Sequence, residues 1–233
     1  MHRDTPCPAV HLSRSRDIAA ITDGVRLAIA IVLLAGGAVL TVRQGLGHAH
    51  RLALGLVLVP ALLLSWWEFE DHQADVVMSR AASALAGRPV HVTCQRLTGT
   101  FVDAGAELGY VQWGPDGQPV DETVLKYDTC KHLYDWLGSD KQAPALDEVI
   151  AVHVLAHESE HLAGEHDESV AECYSVQTTA ETAELLGATR DQARALARRY
   201  WADVYPDMPD GYRTDQCKDG GALDLQPDTA NWP

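Results

Sequence analysis

Apolar residues follow two different patterns along this chain. Between residues 27 and 67 they form unbroken runs: Leu27 to Val42 reads LAIAIVLLAGGAVLTV, and Leu52 to Trp67 reads LALGLVLVPALLLSWW, neither with a charge. From residue 68 onward apolar and polar residues alternate at helical or strand spacing. A segment that is apolar all round has no polar face for water, so the two runs predict a hairpin of transmembrane helices. Sixteen residues span only ~24 Å as a helix, against a hydrocarbon core of ~30 Å. The flanks extend the reach, because Arg26, Arg43 and Arg51 can snorkel and Trp66-Trp67 suits the headgroup belt. Residues 1–67 are therefore read as an N-terminal tail and two transmembrane helices.

The second pattern predicts an α+β domain over residues 68–205, mainly helical with a small antiparallel sheet. Residues 73–86 are alanine-rich, with Gly87 just past the end and Pro89 after it, as at a helix stop. "PVHVTC" (89–94), "LGYVQW" (108–113) and "VDETVLKY" (120–127) carry β-branched and aromatic residues. "GPDG" (114–117) is a turn that folds the last two into a hairpin. A short helix is expected over 128–137. The strongest helical periodicity runs from Leu146 to Ala163, and Gly164 can end it. A helix from about Asp167 to Leu186 follows, then one opened by the capping pattern Thr189–Gln192 and closed before Pro206. The tail over 206–233, with four prolines and three glycines, reads as loop.

Charge divides the chain at the same place: residues 1–67 carry +3 and the remainder −18 of the total −15. A domain so acidic lacks the basic face needed to hold nucleic-acid phosphates, so nucleic-acid binding is excluded. Arg3, Arg14, Arg16 and Arg26 ahead of the first run favour cytoplasmic tails. Arg43 and Arg51 in the loop and the acids Glu68, Glu70, Asp71 and Asp75 favour the opposite. So do four cysteines in the large domain, Cys94, Cys130, Cys173 and Cys217, an even set that suggests two disulfides and an oxidising exterior. We therefore expect a cell-membrane protein with its domain outside. Of the three possible pairings, Cys94–Cys130 with Cys173–Cys217 is the one expected.

The candidate chemistry lies in "HESEHLAGEHDE" (157–168). Stepping about 100° per residue, His153, His157 and His161 share one face of the helix with Glu160, opposite Val152, Leu155, Ser159 and Leu162. Residues i and i+4 sit one turn apart, so His157 and His161 can both reach one cation, and Glu158 lies beside it. His153 is ~12 Å along the axis from His161, too far to share the same ion, and is read as a neighbour of the site or as structural.

The HExxH motif resembles that of the zincin superfamily of zinc metallopeptidases. In "ESVAE" (168–172) the chain is similar to its glutamate-zincin branch, which implies Glu168 as third metal ligand and Glu172 as a supporting acid. Ala171 would let the helices approach. "HESEHLAGEHD" also matches the metzincin pattern, which implies Asp167 instead; a metzincin would follow its glycine with extended chain, where a long helix is expected here. The resemblance implies Zn²⁺ held by His157, His161 and Glu168, with Glu158 as general base in peptide-bond hydrolysis. His153, Tyr174 and Tyr200 are candidate donors to the oxyanion. The expected partners are a peptide or protein substrate and the membrane. The alternative is a non-catalytic, zinc-stabilised binding or sensor domain, its metal closed by Asp167 or Glu172 as well as Glu168.

Overall fold

A computed structural model describes residues 73–95 and 107–228, with Val59 and Trp232. The two apolar runs lie outside these residues apart from Val59, and no helix among the described residues is long and apolar enough to cross a membrane. The chain divides at residue 70, and the unit from 71 onward holds the sheet and the helices packed on it.

Helix α1 occupies residues 73–86 and buries Met78, Ala81 and Ala82. It ends at Gly87, whose φ of 66° suits a residue without a Cβ. Three strands follow: β1 (His91–Cys94), β2 (Gly109–Trp113) and β3 (Pro119–Leu125). Their order is β1-β3-β2. β2 and β3 form the expected antiparallel hairpin, with Tyr110 opposite Val124 and a bulge between Val111 and Trp113. β1, however, runs parallel to β3, with Val92 opposite Thr123 and Cys94 opposite Leu125. The sheet is therefore mixed, which corrects the antiparallel expectation. Alternation along β1 shows which side chains are buried, but an alternating pattern reads the same whichever way the strand points.

The parallel pairing brings the end of β1 to the end of β3, where helix α2 (Tyr127–Gly138) begins. Cys94 and Cys130 meet there in a disulfide, with Cα atoms 5.9 Å apart. Helix α3 (Leu146–Ala163) is the centre of the unit. It packs against α2, β2 and β3, and against the next two helices, α4 (Glu168–Leu185) and α5 (Arg190–Asp203). Both of its faces are covered, so His153, His157, Glu158 and His161 are buried along with Val149, Val152, Leu155 and Leu162. Arg88 ties the helix end to the sheet: its Nε donates to the Leu162 carbonyl, and its other nitrogens bond Pro119, Val120 and Asp121.

The α3–α4 and α4–α5 junctions show the expected cap chemistry. Gly164 adopts φ 110° to stop α3. The Asp167 carboxylate accepts the Ser169 and Val170 amides to start α4. Thr189 and Gln192 form the reciprocal capping box of α5.

The segment from Tyr205 on carries two 3₁₀ turns, Tyr205–Asp207 and Asp210–Tyr212. It is held to α4 by the Cys173–Cys217 disulfide, with Cα atoms 5.4 Å apart. Gln177 also clamps its backbone, donating to the Leu223 carbonyl at 2.9 Å and accepting the Leu225 amide at 2.7 Å. Both disulfides are the expected pairs.

Candidate metal centre

His157 and His161 lie one turn apart on α3, and Glu168 lies in the first turn of α4. The tight Gly164 stop and the Asp167 cap turn α4 back across the histidines. Three atoms converge as a result. His157 Nε2 and His161 Nε2 are 3.0 Å apart, and Glu168 Oε2 is 3.1 Å from the first and 3.3 Å from the second. These three residues could hold a metal ion.

Proton bookkeeping sharpens this geometry. The Nδ1 of His161 is 2.7 Å from the Glu165 carbonyl oxygen, which can only accept, so Nδ1 carries the hydrogen. The Nδ1 of His157 is 3.0 Å from Glu172 Oε2, which in its carboxylate form likewise only accepts. In the neutral rings both Nε2 atoms therefore present lone pairs, and they point at one another and at a carboxylate oxygen. Three acceptor atoms within 3.0–3.3 Å can surround a cation. Donors on a tetrahedral ion with bonds of ~2.0–2.1 Å stand about 3.3 Å apart, so the spacing suits such an ion.

Without a metal, protons fill that role. Burial opposes a charge on His157, but hydrogen bonds to Glu168 and Glu172 outweigh it and push its pKa up to about 10. His161 is raised too: burial opposes its charge, and the Glu168 carboxylate and Glu165 carbonyl overcome that. The hydrogen bonds of both histidines hold Glu168 down to about 2.

Glu158 is buried beside the sheet. Its Oε2 is 3.4 Å from Thr123 Oγ1 on β3, and that hydroxyl also bonds the Tyr110 carbonyl at 3.0 Å. On β2, a Cβ at position 109 would stand 2.8 Å from Glu158 Oε1 and 2.9 Å from Leu125, so a side chain there would force one of them to shift. Burial pushes the Glu158 carboxyl up to about 7, against the pull of His157 and His161.

Glu172 is not at the converging face. It lies beneath His157, 1% exposed. Its Oε2 accepts from His157 Nδ1 and from His153 Nε2, each at 3.0 Å, and its Oε1 accepts from the Tyr200 hydroxyl at 2.7 Å. Burial opposes its charge, but the attraction and hydrogen bond of His153, joined by His157, hold its pKa well below the carboxylate range. Asp167 is committed to its helix cap. Of the three acids considered for the third position, Glu168 alone converges with both Nε2 atoms.

Of the candidate oxyanion donors, His153 and Tyr200 are both buried and bonded to Glu172. Tyr174 takes no side-chain part in the cluster's hydrogen bonds among the described residues. Two further groups reach the centre from distant segments. The ring of Tyr212 lies 5.8 Å from that of His157, and burial and the charges of Glu168 and Glu158 raise its pKa. Trp113 of β2 stands edge-on to His161 at 6.3 Å and stacks on His166 at 3.5 Å. His166 in turn meets the Gly117 carbonyl at 3.1 Å, which joins the hairpin tip to the α3–α4 connection. Only tertiary structure brings these groups to the centre, and no local spacing marks them. No protein-family model, curated protein or solved structure matches this chain.

Proposed function

We propose that this chain is a membrane-anchored zinc metallopeptidase similar to the glutamate-zincins, with zinc held by His157, His161 and Glu168. One observation carries the reading: three lone-pair donors converge at 3.0–3.3 Å, with a buried carboxyl, Glu158, alongside. The nitrogen and oxygen donor set suits zinc. When bound, the ion would supply Lewis-acid activation of water and of a substrate carbonyl.

The chain's own residues would do the rest. Glu158, with a pKa near neutrality, is fitted to take a proton from the attacking water and return it to the leaving amine. The nearby imidazoles favour its charged form and Thr123 offers it a hydrogen bond, so its base form is accessible at neutral pH. Tyr212, beside His157, is the candidate hydroxyl donor for charge developing on the carbonyl oxygen. The substrate would be a peptide or protein, and the two disulfides suit a domain on the oxidising side of the membrane.

The non-catalytic zinc domain is less well supported. A closed structural site needs a fourth protein ligand. Asp167 and Glu172, the two acids that might close it, are bonded elsewhere.

The test is zinc per chain for the full protein in detergent, wild type and His161→Ala, followed by cleavage of a mixed peptide library. Near one zinc in wild type, lost in the variant, together with zinc-dependent cleavage would support the peptidase. A folded wild type that takes up no zinc would sink it.

A further inference from the structure

The buried cluster below His157 holds two groups that the proposed chemistry does not use, Tyr200 and His153. Neither reaches the converging face. Both end on Glu172, so the question is what that carboxylate needs from them.

Glu172 is almost fully buried and receives three donors from three directions. Tyr200 Oη, from α5, occupies Oε1 at 2.7 Å. His153 Nε2 and His157 Nδ1, both from α3, share Oε2 at 3.0 Å each. His153 is fixed in turn. Its Nδ1 meets the Thr179 hydroxyl at 2.8 Å, and its ring stacks on the Tyr200 ring with centroids 3.4 Å apart and planes 13° apart. The two groups thus brace each other as well as the carboxylate. A buried carboxylate short of donors would rotate to find them. That rotation would end its grip on His157 Nδ1–H. Nothing else among the described residues holds that hydrogen, and that hydrogen is what leaves the Nε2 lone pair free to face a metal.

We infer that Tyr200 and His153 are positioning residues that act through Glu172 to fix the tautomer and orientation of His157, and hence the affinity of the centre for its metal. The inference rests on the reading of His157 as a ligand. It extends the centre from α3 and α4 to α5, a helix that supplies no ligand. Outer groups that orient a metal-bound imidazole typically change affinity by 10–100-fold when lost.

The experiment measures Zn²⁺ affinity by chelator competition on the full-length protein: wild type, Tyr200→Phe, Glu172→Gln and the double variant. Tyr200→Phe removes one hydroxyl and keeps the stacked ring, so the fold should survive. Affinity should fall about tenfold in Tyr200→Phe. In the Glu172→Gln background the same change should have little further effect, because the group it acts through has already been altered. For His153, His153→Leu should weaken binding, while His153→Gln, which keeps an N–H for Glu172, should restore most of it. Thermal melts of the metal-free variants report packing separately. Wild-type affinity in Tyr200→Phe, or equal losses with and without Glu172, would overturn the inference while leaving the metal centre standing. A wild type that binds no zinc would instead overturn the reading beneath it.

Discussion

Two histidine–glutamate clusters meet at His157, one on each ring nitrogen, and they solve opposite problems. On the Nδ1 side, Glu172 is deeply buried and surrounded by hydrogen-bond donors. On the Nε2 side, Glu168 keeps about half of its side chain exposed (48%) and faces two nitrogens whose lone pairs point the same way it does. Both clusters have the residue types of a metal site, and both bring three ligand atoms close together. Counting protons separates them. In the inner cluster the carboxylate is met by a tyrosine hydroxyl and two imidazole nitrogens. In the outer one three acceptor atoms face each other, and either imidazole protons or a metal ion can stand between them. Proximity of histidine and glutamate is therefore not enough to identify a metal centre, and the direction of each hydrogen bond decides.

The largest effect should come from removing the two glutamates in turn. Glu172→Ala strips a buried acceptor from three donors at once. Breaking a buried, hydrogen-bonded charge pair costs about 3–5 kcal/mol, so the metal-free protein should lose that much stability in a denaturant titration. Glu168→Ala, at a half-exposed position, should cost the metal-free protein less than ~1 kcal/mol yet abolish zinc uptake. Equal losses of stability in the two variants would erase the distinction between the clusters.

Glu158→Gln tests what the outer cluster is for. Losing a general base typically lowers turnover by ~10²–10⁴-fold. Zinc content should not change, because Glu158 is not one of the three residues whose ligand atoms converge. Unchanged turnover would mean a metal site without hydrolytic chemistry.

The outer cluster should also be sensitive to pH. In the metal-free protein the raised pKa of His157, about 10, keeps it protonated at neutrality, and zinc must displace that proton. Affinity should therefore rise by about tenfold per pH unit for each proton released and fall as the solution is acidified. The sign for folding is the reverse. A histidine raised above its unfolded value of ~6.5 stabilises the metal-free fold below that pH and loses the contribution as pH climbs through the folded value. Chelator competition at about pH 6 and pH 8 reads the first effect, and melts of metal-free protein read the second. A flat affinity profile would show that His157 is already neutral before the metal arrives.

How much of the centre is legible in the sequence differs between the clusters. The outer one is local. His157, Glu158 and His161 come from helical spacing, and Glu168 from the resemblance of "ESVAE" to the glutamate-zincins, only a short turn away. The inner one draws on three helices. Distance along the axis sets His153 apart from His161, but what His153 does there depends on Tyr200 and Thr179, which are far away in sequence. Tyr212, Trp113 and His166 escape for the same reason: each reaches the centre from its own segment. The helices can be read from periodicity and caps; an even cysteine count suggests two disulfides, but the sequence does not choose among the three pairings. The direction of β1 cannot be read either, since strand alternation carries no sign.

The smallest expected effect separates the two nearest acids. Asp167 and Glu168 are adjacent, and the metzincin-like spacing would make Asp167 the third ligand. Its carboxylate instead accepts the Ser169 and Val170 amides at 2.9 and 3.1 Å. The Ser169 hydroxyl, which donates to it at 2.7 Å, and then those two amides hold its pKa below the usual aspartate value. Asp167→Ala should thus behave as the loss of an N-cap, lowering stability slightly, with zinc stoichiometry kept near wild type. Asp167→Asn, which retains the capping oxygen, should recover most of that stability. If zinc were lost in both variants while the fold survived, Asp167 would be a ligand, and the turn joining α3 to α4 would have to rearrange on loading. Zinc kept in both, and lost in Glu168→Ala, would place the third ligand at the first turn of α4 rather than at its cap.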